Sequence, residues 1–97
     1  MQNLKSIIGS LKTLEPYIRK NFKAEIRGVF GSYARGEQKK GSDIDILVHF
    51  LDGATFLDLV NLGDFLEGKL KRKVDIVSDR AVRNELKEGI LQGVVEV

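Results

Sequence analysis

Two stretches of this chain place residue types at spacings that can do chemistry: Gly31-Ser32-Tyr33-Ala34-Arg35-Gly36 and Ser42-Asp43-Ile44-Asp45-Ile46-Leu47-Val48. Asp43 and Asp45 alternate with apolar residues, the pattern of a strand. Two positions apart on a strand, their carboxylates project from one face, with Cα atoms roughly 6.5–7 Å apart. Carboxylates held this way repel each other unless a cation stands between them. A hard divalent ion such as Mg²⁺ takes oxygen ligands and keeps places for substrate phosphates. Acids inside an otherwise apolar strand carry a desolvation cost that asks for a functional reason.

A third acid, Asp75, lies in Lys73-Val74-Asp75-Ile76-Val77, again between apolar residues. If that strand neighbours the first, Asp43, Asp45 and Asp75 converge as metal ligands. Metal ions held there would clamp the oxygens of an in-line phosphoryl displacement. Asp75 is then either a ligand or the base that takes a proton from an incoming hydroxyl. Gly31-Ser32 follows a strand and precedes a short helix, which aims backbone N–H groups and a hydroxyl at a phosphate. Gly31 lets the backbone come close. Arg35, one turn on, reaches a phosphate or pairs with a carboxylate. Ser42, directly before Asp43, is grouped with these nucleotide-binding residues.

Other patterns fall short. Gly36-x-x-x-x-Gly41-Ser42 has the spacing of a phosphate loop but lacks the lysine after the second glycine. His49 shares a face with Asp43 and Asp45 but sits near the strand's end, so a satisfied edge residue is expected rather than a ligand. No Gly-x-Ser-x-Gly is present, which argues against Ser32 as a nucleophile.

The elements that must position these residues follow from periodicity. Leu4, Ile7, Ile8, Leu11 and Leu14 recur at helical spacing. Pro16 is expected to stop or kink that helix, or to open a second short one. Residues 24–30 read as a strand with Ile26 and Phe30 on one face. Residues 36–42 read as a loop, and 43–50 as a strand with Ile44, Ile46 and Val48 on one side. Asp52-Gly53 marks a turn. Thr55 and Asp58 form a capping box for a helix reaching about Leu70. On that helix Phe56, Leu59, Val60, Leu62, Leu66 and Leu70 make one stripe, with Leu57 and Phe65 outside it. A short strand at 74–77, a helix from Ala81 to about Gln92, and a frayed end or edge strand at 94–97 complete the chain. Alternating helices and strands predict a layered α/β domain over residues 1–97.

Composition narrows the field. The chain has 97 residues, no cysteine and a formal net charge of +2. No disulfide framework or thiolate metal site is available, which fits a cytoplasmic protein. No apolar run approaches the roughly 20 residues of a membrane helix, so no membrane association is expected. Arg19, Lys20 and Lys23, Lys39 with Lys40, and the run from Lys69 to Lys73 form basic clusters. With so mild a net charge they read as solvated surface, and nucleic acid is not an expected partner.

The arrangement of a strand ending in Gly31-Ser32, a ten-residue gap, then Asp43-Ile44-Asp45-Ile46 resembles the DNA polymerase β-like nucleotidyltransferase superfamily. Gly-Ser-Tyr-Ala-Arg-Gly followed by Ser-Asp-Ile-Asp-Ile is similar to its minimal nucleotidyltransferases, the MNT group. The likeness extends along nearly the whole chain, to Glu88-Gly89-Ile90-Leu91 and Val94-Val95. It implies a small mixed sheet with helices mainly on one face. It implies that Gly31 and Ser32 hold the triphosphate of ATP, that Asp43 and Asp45 bind Mg²⁺, and that Asp75 is the third catalytic acid. MNT proteins are paired with small helical HEPN toxins, and family members add AMP to a tyrosine of that partner. The resemblance therefore implies an AMP-transferring antitoxin.

Three rivals stand beside that reading. The chain could neutralise a toxin by contact alone, with its acids a relic. It could modify a small molecule, a second copy of the chain supplying the domain such enzymes carry. It could add nucleotides to RNA ends, although its modest charge argues against this.

Overall fold

In a computed structural model of the chain, residues 3–80 and 93–97 are described. The elements run α1 (Leu4–Phe22), β1 (Ala24–Phe30), α2 (Gly31–Arg35), β2 (Ile44–Phe50), α3 (Phe56–Leu70), β3 (Val74–Ser78) and β4 (Val95–Glu96). The expected helix at 81–92 lies outside the described residues.

Asn3 caps α1, its side chain accepting from the Ser6 amide at 2.9 Å. Pro16 neither stops nor divides this helix, which continues for another turn and a half to Phe22. Ile7 and Leu11 before the proline and Ile18 after it are all fully buried, so packing holds both halves on one axis. Pro16 itself is exposed, and on that side the carbonyl it leaves without a partner can meet water.

The strands form one mixed sheet in the order β3-β2-β1-β4. β1 is antiparallel to β2 and to β4, while β3 is parallel to β2. The parallel pair requires a crossover, and α3 supplies it. Ile44, Ile46, Val48 and Phe50 turn to the α1/α3 side with Ala24, Ile26 and Val29 of β1. Leu62, Leu66 and Leu70 of α3 close over them. Asp45, Leu47 and His49 alternate onto the opposite face.

β1 departs from simple alternation. Its register against β2 shifts between Ile26, opposite Val48, and Gly28, opposite Leu47. The bulge inserts Arg27 as an extra residue, so the faces exchange beyond it. Val29, not Phe30, is the buried partner of Ile26, and Phe30 comes to stand opposite Asp45 on the acid-bearing face. β4 settles the ending: Val95 and Glu96 form an edge strand against Val29 and Gly28. A side chain at Gly28 would overlap the Val95 carbonyl, so this pairing requires glycine.

α3 starts with both halves of the Thr55/Asp58 capping box in place. Its apolar stripe is rotated from the expected one. Phe65 packs inward, stacked on Tyr17 with ring centroids 5.0 Å apart and 5.2 Å from Phe22. Phe56 and Val60, expected within the stripe, are exposed, together with Leu57. The neighbour decides this: α1 lies alongside α3 and presents aromatic residues to Phe65. Among the described residues no helix is long and apolar enough to cross a membrane.

Candidate active site

One end of the sheet gathers the candidate residues. There β1 finishes at Phe30, and β2 and β3 begin at Ile44 and Val74. In the parallel ladder Ile44 pairs with Val74 and Asp45 pairs with Asp75. Adjacent strands stand about 4.8 Å apart, so the Asp45 and Asp75 side chains leave one face side by side. Asp43 immediately precedes β2 rather than lying within it, and the Ile44 amide donates to the Lys73 carbonyl at 2.9 Å. The ladder is thereby anchored at the point where Asp43 enters it.

The charges act on each other. The Asp45 carboxyl is pushed above the ordinary carboxylate range, first by burial, then by the negative charges of Asp75 and Asp43. Arg35 opposes the shift. Asp43 and Asp75 are exposed while Asp45 is half-buried, so the central acid bears the strain of the row.

Gly31 lies against this central acid. Its φ is +74°, and a Cβ there would overlap the Asp45 carboxylate. Both facts demand glycine. α2 starts at Gly31, directly off β1, and is anchored by Tyr33, which is 2% exposed. Gly36, with φ +70°, closes the helix by donating to the Tyr33 carbonyl at 3.3 Å, and Glu37 donates to the Ser32 carbonyl at 2.9 Å. The first-turn amides of such a helix have no partner within it, and the Ser32 hydroxyl has none among the described residues. These donors stand next to Asp45, a suitable setting for phosphate oxygens.

Arg35 and Ser42 are differently engaged. Arg35 is largely exposed and paired with Glu37, so its charge reaches Asp45 only as a secondary influence. The Ser42 hydroxyl accepts from the Lys39 amide at 2.8 Å, and the Ser42 amide donates to the Lys39 carbonyl at 2.9 Å. Ser42 thus closes the turn that delivers Asp43.

His49 is satisfied, as its place near the strand end suggested: Nδ1 lies 2.9 Å from Asp79, which Arg27 approaches to 3.8 Å. Asp79 carried no sequence signal, because its role depends on β3 lying parallel to β2. Glu67 was missed for a similar reason. Its carboxylate accepts from the Val74 amide at 3.1 Å and ties the end of α3 to the start of the strand bearing Asp75.

Three carboxylates are a hard, oxygen-only donor set of the kind Mg²⁺ prefers. Among the described residues, no three acidic or histidine side chains close on one point tightly enough to enclose an ion unaided. The aspartates form an open row, which suits an ion that also takes oxygens from substrate.

The chain matches the nucleotidyltransferase domain family over residues 4–96. The protein adenylyltransferase MntA of Thermococcus cleftensis is 36% identical over 97 residues, covering 100% of this chain and 98% of that one. A Methanocaldococcus jannaschii protein assigned as a protein adenylyltransferase is 39% identical over 82 residues, which is 84% of this chain and 95% of that one. A solved structure described as a minimal nucleotidyltransferase superposes with a TM-score of 0.84 at 35% identity, covering 99% of this chain and 97% of that chain. A toxin–antitoxin structure with AMP-PNP superposes with a TM-score of 0.61 at 32% identity, over 88% of this chain and 64% of that chain. By sequence and by fold, the chain belongs to the nucleotidyltransferase domain family and is one of its minimal members.

Proposed function

We propose that this nucleotidyltransferase transfers AMP from ATP to a hydroxyl of a HEPN-type toxin, with Mg²⁺ as its cofactor, and so acts as a cytoplasmic antitoxin. The observation that carries the proposal is the pairing of Asp45 with Asp75 in adjacent parallel strands, with Asp43 at the mouth and Gly31 against Asp45. A central acid whose carboxyl is raised by burial and by two neighbouring carboxylates is poorly suited to an empty surface and well suited to a cation. A relative named as a protein adenylyltransferase and a similar toxin–antitoxin structure holding an ATP analogue support the donor and the class of acceptor.

Asp43 and Asp45 would hold Mg²⁺, which supplies charge neutralisation at the phosphates when bound. Gly31, Ser32 and the first amides of α2 receive the triphosphate from the β1 side. The acceptor oxygen bonds to the α-phosphorus, and the bond from that phosphorus to the bridging oxygen of pyrophosphate breaks. The proton of the hydroxyl passes to Asp75, the outermost acid of the row. Glu67 fixes the backbone that aims Asp75.

Neutralisation by contact alone is the competing reading. Co-expression of the toxin with the Asp43→Ala, Asp45→Ala double variant separates the two. Loss of protection while the complex still forms supports transfer; full protection supports contact alone.

A further inference from the structure

Lys73 stands on the acid-bearing face in the same row as Asp43. Ile44 pairs with Val74, and the Ile44 amide donates to the Lys73 carbonyl at 2.9 Å, so the residues one step earlier, Asp43 and Lys73, are neighbours. Val74 and Ile76 pack toward the core, and alternation sends Lys73 to the other face with Asp75. The register thus sets the Lys73 backbone beside that of Asp43, one step before the Asp45–Asp75 pair.

That ammonium is not spent on the acids. Among the described residues Lys73 takes part in no ion pair. The cation that offsets the raised Asp45 carboxyl is Arg35, from the opposite flank. Arg35 is paired with Glu37, and Lys39 and Lys40 lie in the loop before Asp43. At Lys73 the backbone is held where β3 begins, its carbonyl by the Ile44 amide and the following amide by Glu67 at 3.1 Å.

The order of the strands assigns this charge a side. Gly31 and Ser32 lie on the β1 flank of Asp45, and Lys73 and Asp75 lie on the β3 flank. With the triphosphate on the β1 flank, the space over β3 is left to the acceptor. We propose that Lys73 is an acceptor-binding residue. Resting on the nucleotidyl-transfer reading above, its ammonium meets the acceptor oxygen as that oxygen gives its proton to Asp75 and bonds to the α-phosphorus. Lys73 keeps its own protons and contributes positive charge where negative charge develops.

The test uses Lys73→Met and Lys73→Arg in the full chain, with a HEPN-type toxin as acceptor and AMP-PNP as the nucleotide probe. Lys73→Met should lower kcat/KM for the acceptor by about tenfold or more. Its melting temperature and AMP-PNP affinity should match the parent, and Lys73→Arg should restore most of the rate. Transfer by Lys73→Met at the parental rate, or weakened AMP-PNP binding with the acceptor KM unchanged, overturns the acceptor-side role alone. A parent chain that binds AMP-PNP but transfers no AMP overturns the underlying reading as well.

Discussion

The backbone of Gly31 lies so close to the Asp45 carboxylate that no methyl group fits between them. The contact joins the turn that opens α2 to the central acid, so neither can shift without the other. Gly31→Ala should therefore damage catalysis more than stability. A non-glycine residue in the left-handed region costs roughly 1–2 kcal/mol, and a folded variant with a lowered melting temperature is expected. AMP transfer should fall by about a hundredfold or more, because the acid is displaced from its row. Near-parental transfer by a folded Gly31→Ala would show that the contact is incidental.

Asp45 is held at a cost to the metal-free fold. Its carboxyl is raised above the ordinary range by burial, Asp75 and Asp43, so the charged form is disfavoured in the folded state. The destabilisation is present at neutral pH and disappears as pH falls through the raised value toward the unfolded one. Asp45→Asn should melt higher than the parent at pH 7 in chelator, with the difference closing on acidification. Transfer by the same variant should be lost. A lower melting temperature for Asp45→Asn in chelator would contradict this.

Glu15 offers a control away from the site. Its carboxyl is also raised, mainly by burial, against the lowering effects of the Ile26 hydrogen bond and Arg19. Glu15→Gln keeps an acceptor for the Ile26 amide, 3.3 Å away in the parent, and removes the buried charge. The sign is as for Asp45: a gain in melting temperature at pH 7 that shrinks at lower pH, here with transfer unchanged. Thermal melts from pH 4 to 8 with a parallel activity assay provide the check.

The aromatic contact between the two long helices predicts opposite outcomes for two phenylalanines on α3. Phe65 is stacked on Tyr17 and packed against the core, and Phe65→Ala should cost about 3 kcal/mol in a denaturant titration. Phe56 is 77% exposed, and Phe56→Ser should lie within about 0.5 kcal/mol of the parent. Equal losses would mean that the stripe faces as its spacing alone suggests.

The strands and the acids were legible because their signals are local: alternation in 43–50, and acids among apolar residues at 43, 45 and 75. The mixed sheet and the family were readable from Gly31-Ser32 and the spacing to Asp43. What escaped depends on distant neighbours. Pro16 continues α1 because Ile7, Leu11 and Ile18 bury together. Phe30 changes face because Arg27 forms a bulge visible only against β2. Phe65 turns inward because Tyr17 and Phe22 lie across from it. Asp79 and Glu67 took on their tasks only once β3 was placed beside β2. Ser42, grouped with the nucleotide-binding residues, has its hydroxyl engaged in closing the turn before Asp43.

The central claim is that the aspartate row transfers AMP to a protein partner. The most direct test incubates the purified chain with ATP, Mg²⁺ and a HEPN-type toxin, then reads the intact mass of both. The account predicts a gain of one or more AMP units on the partner, absent with Asp43→Ala, Asp45→Ala or Asp75→Ala and absent in chelator. An unchanged partner mass, in a complex that still silences the toxin, would contradict it and leave the paired Asp45 and Asp75 without a catalytic task.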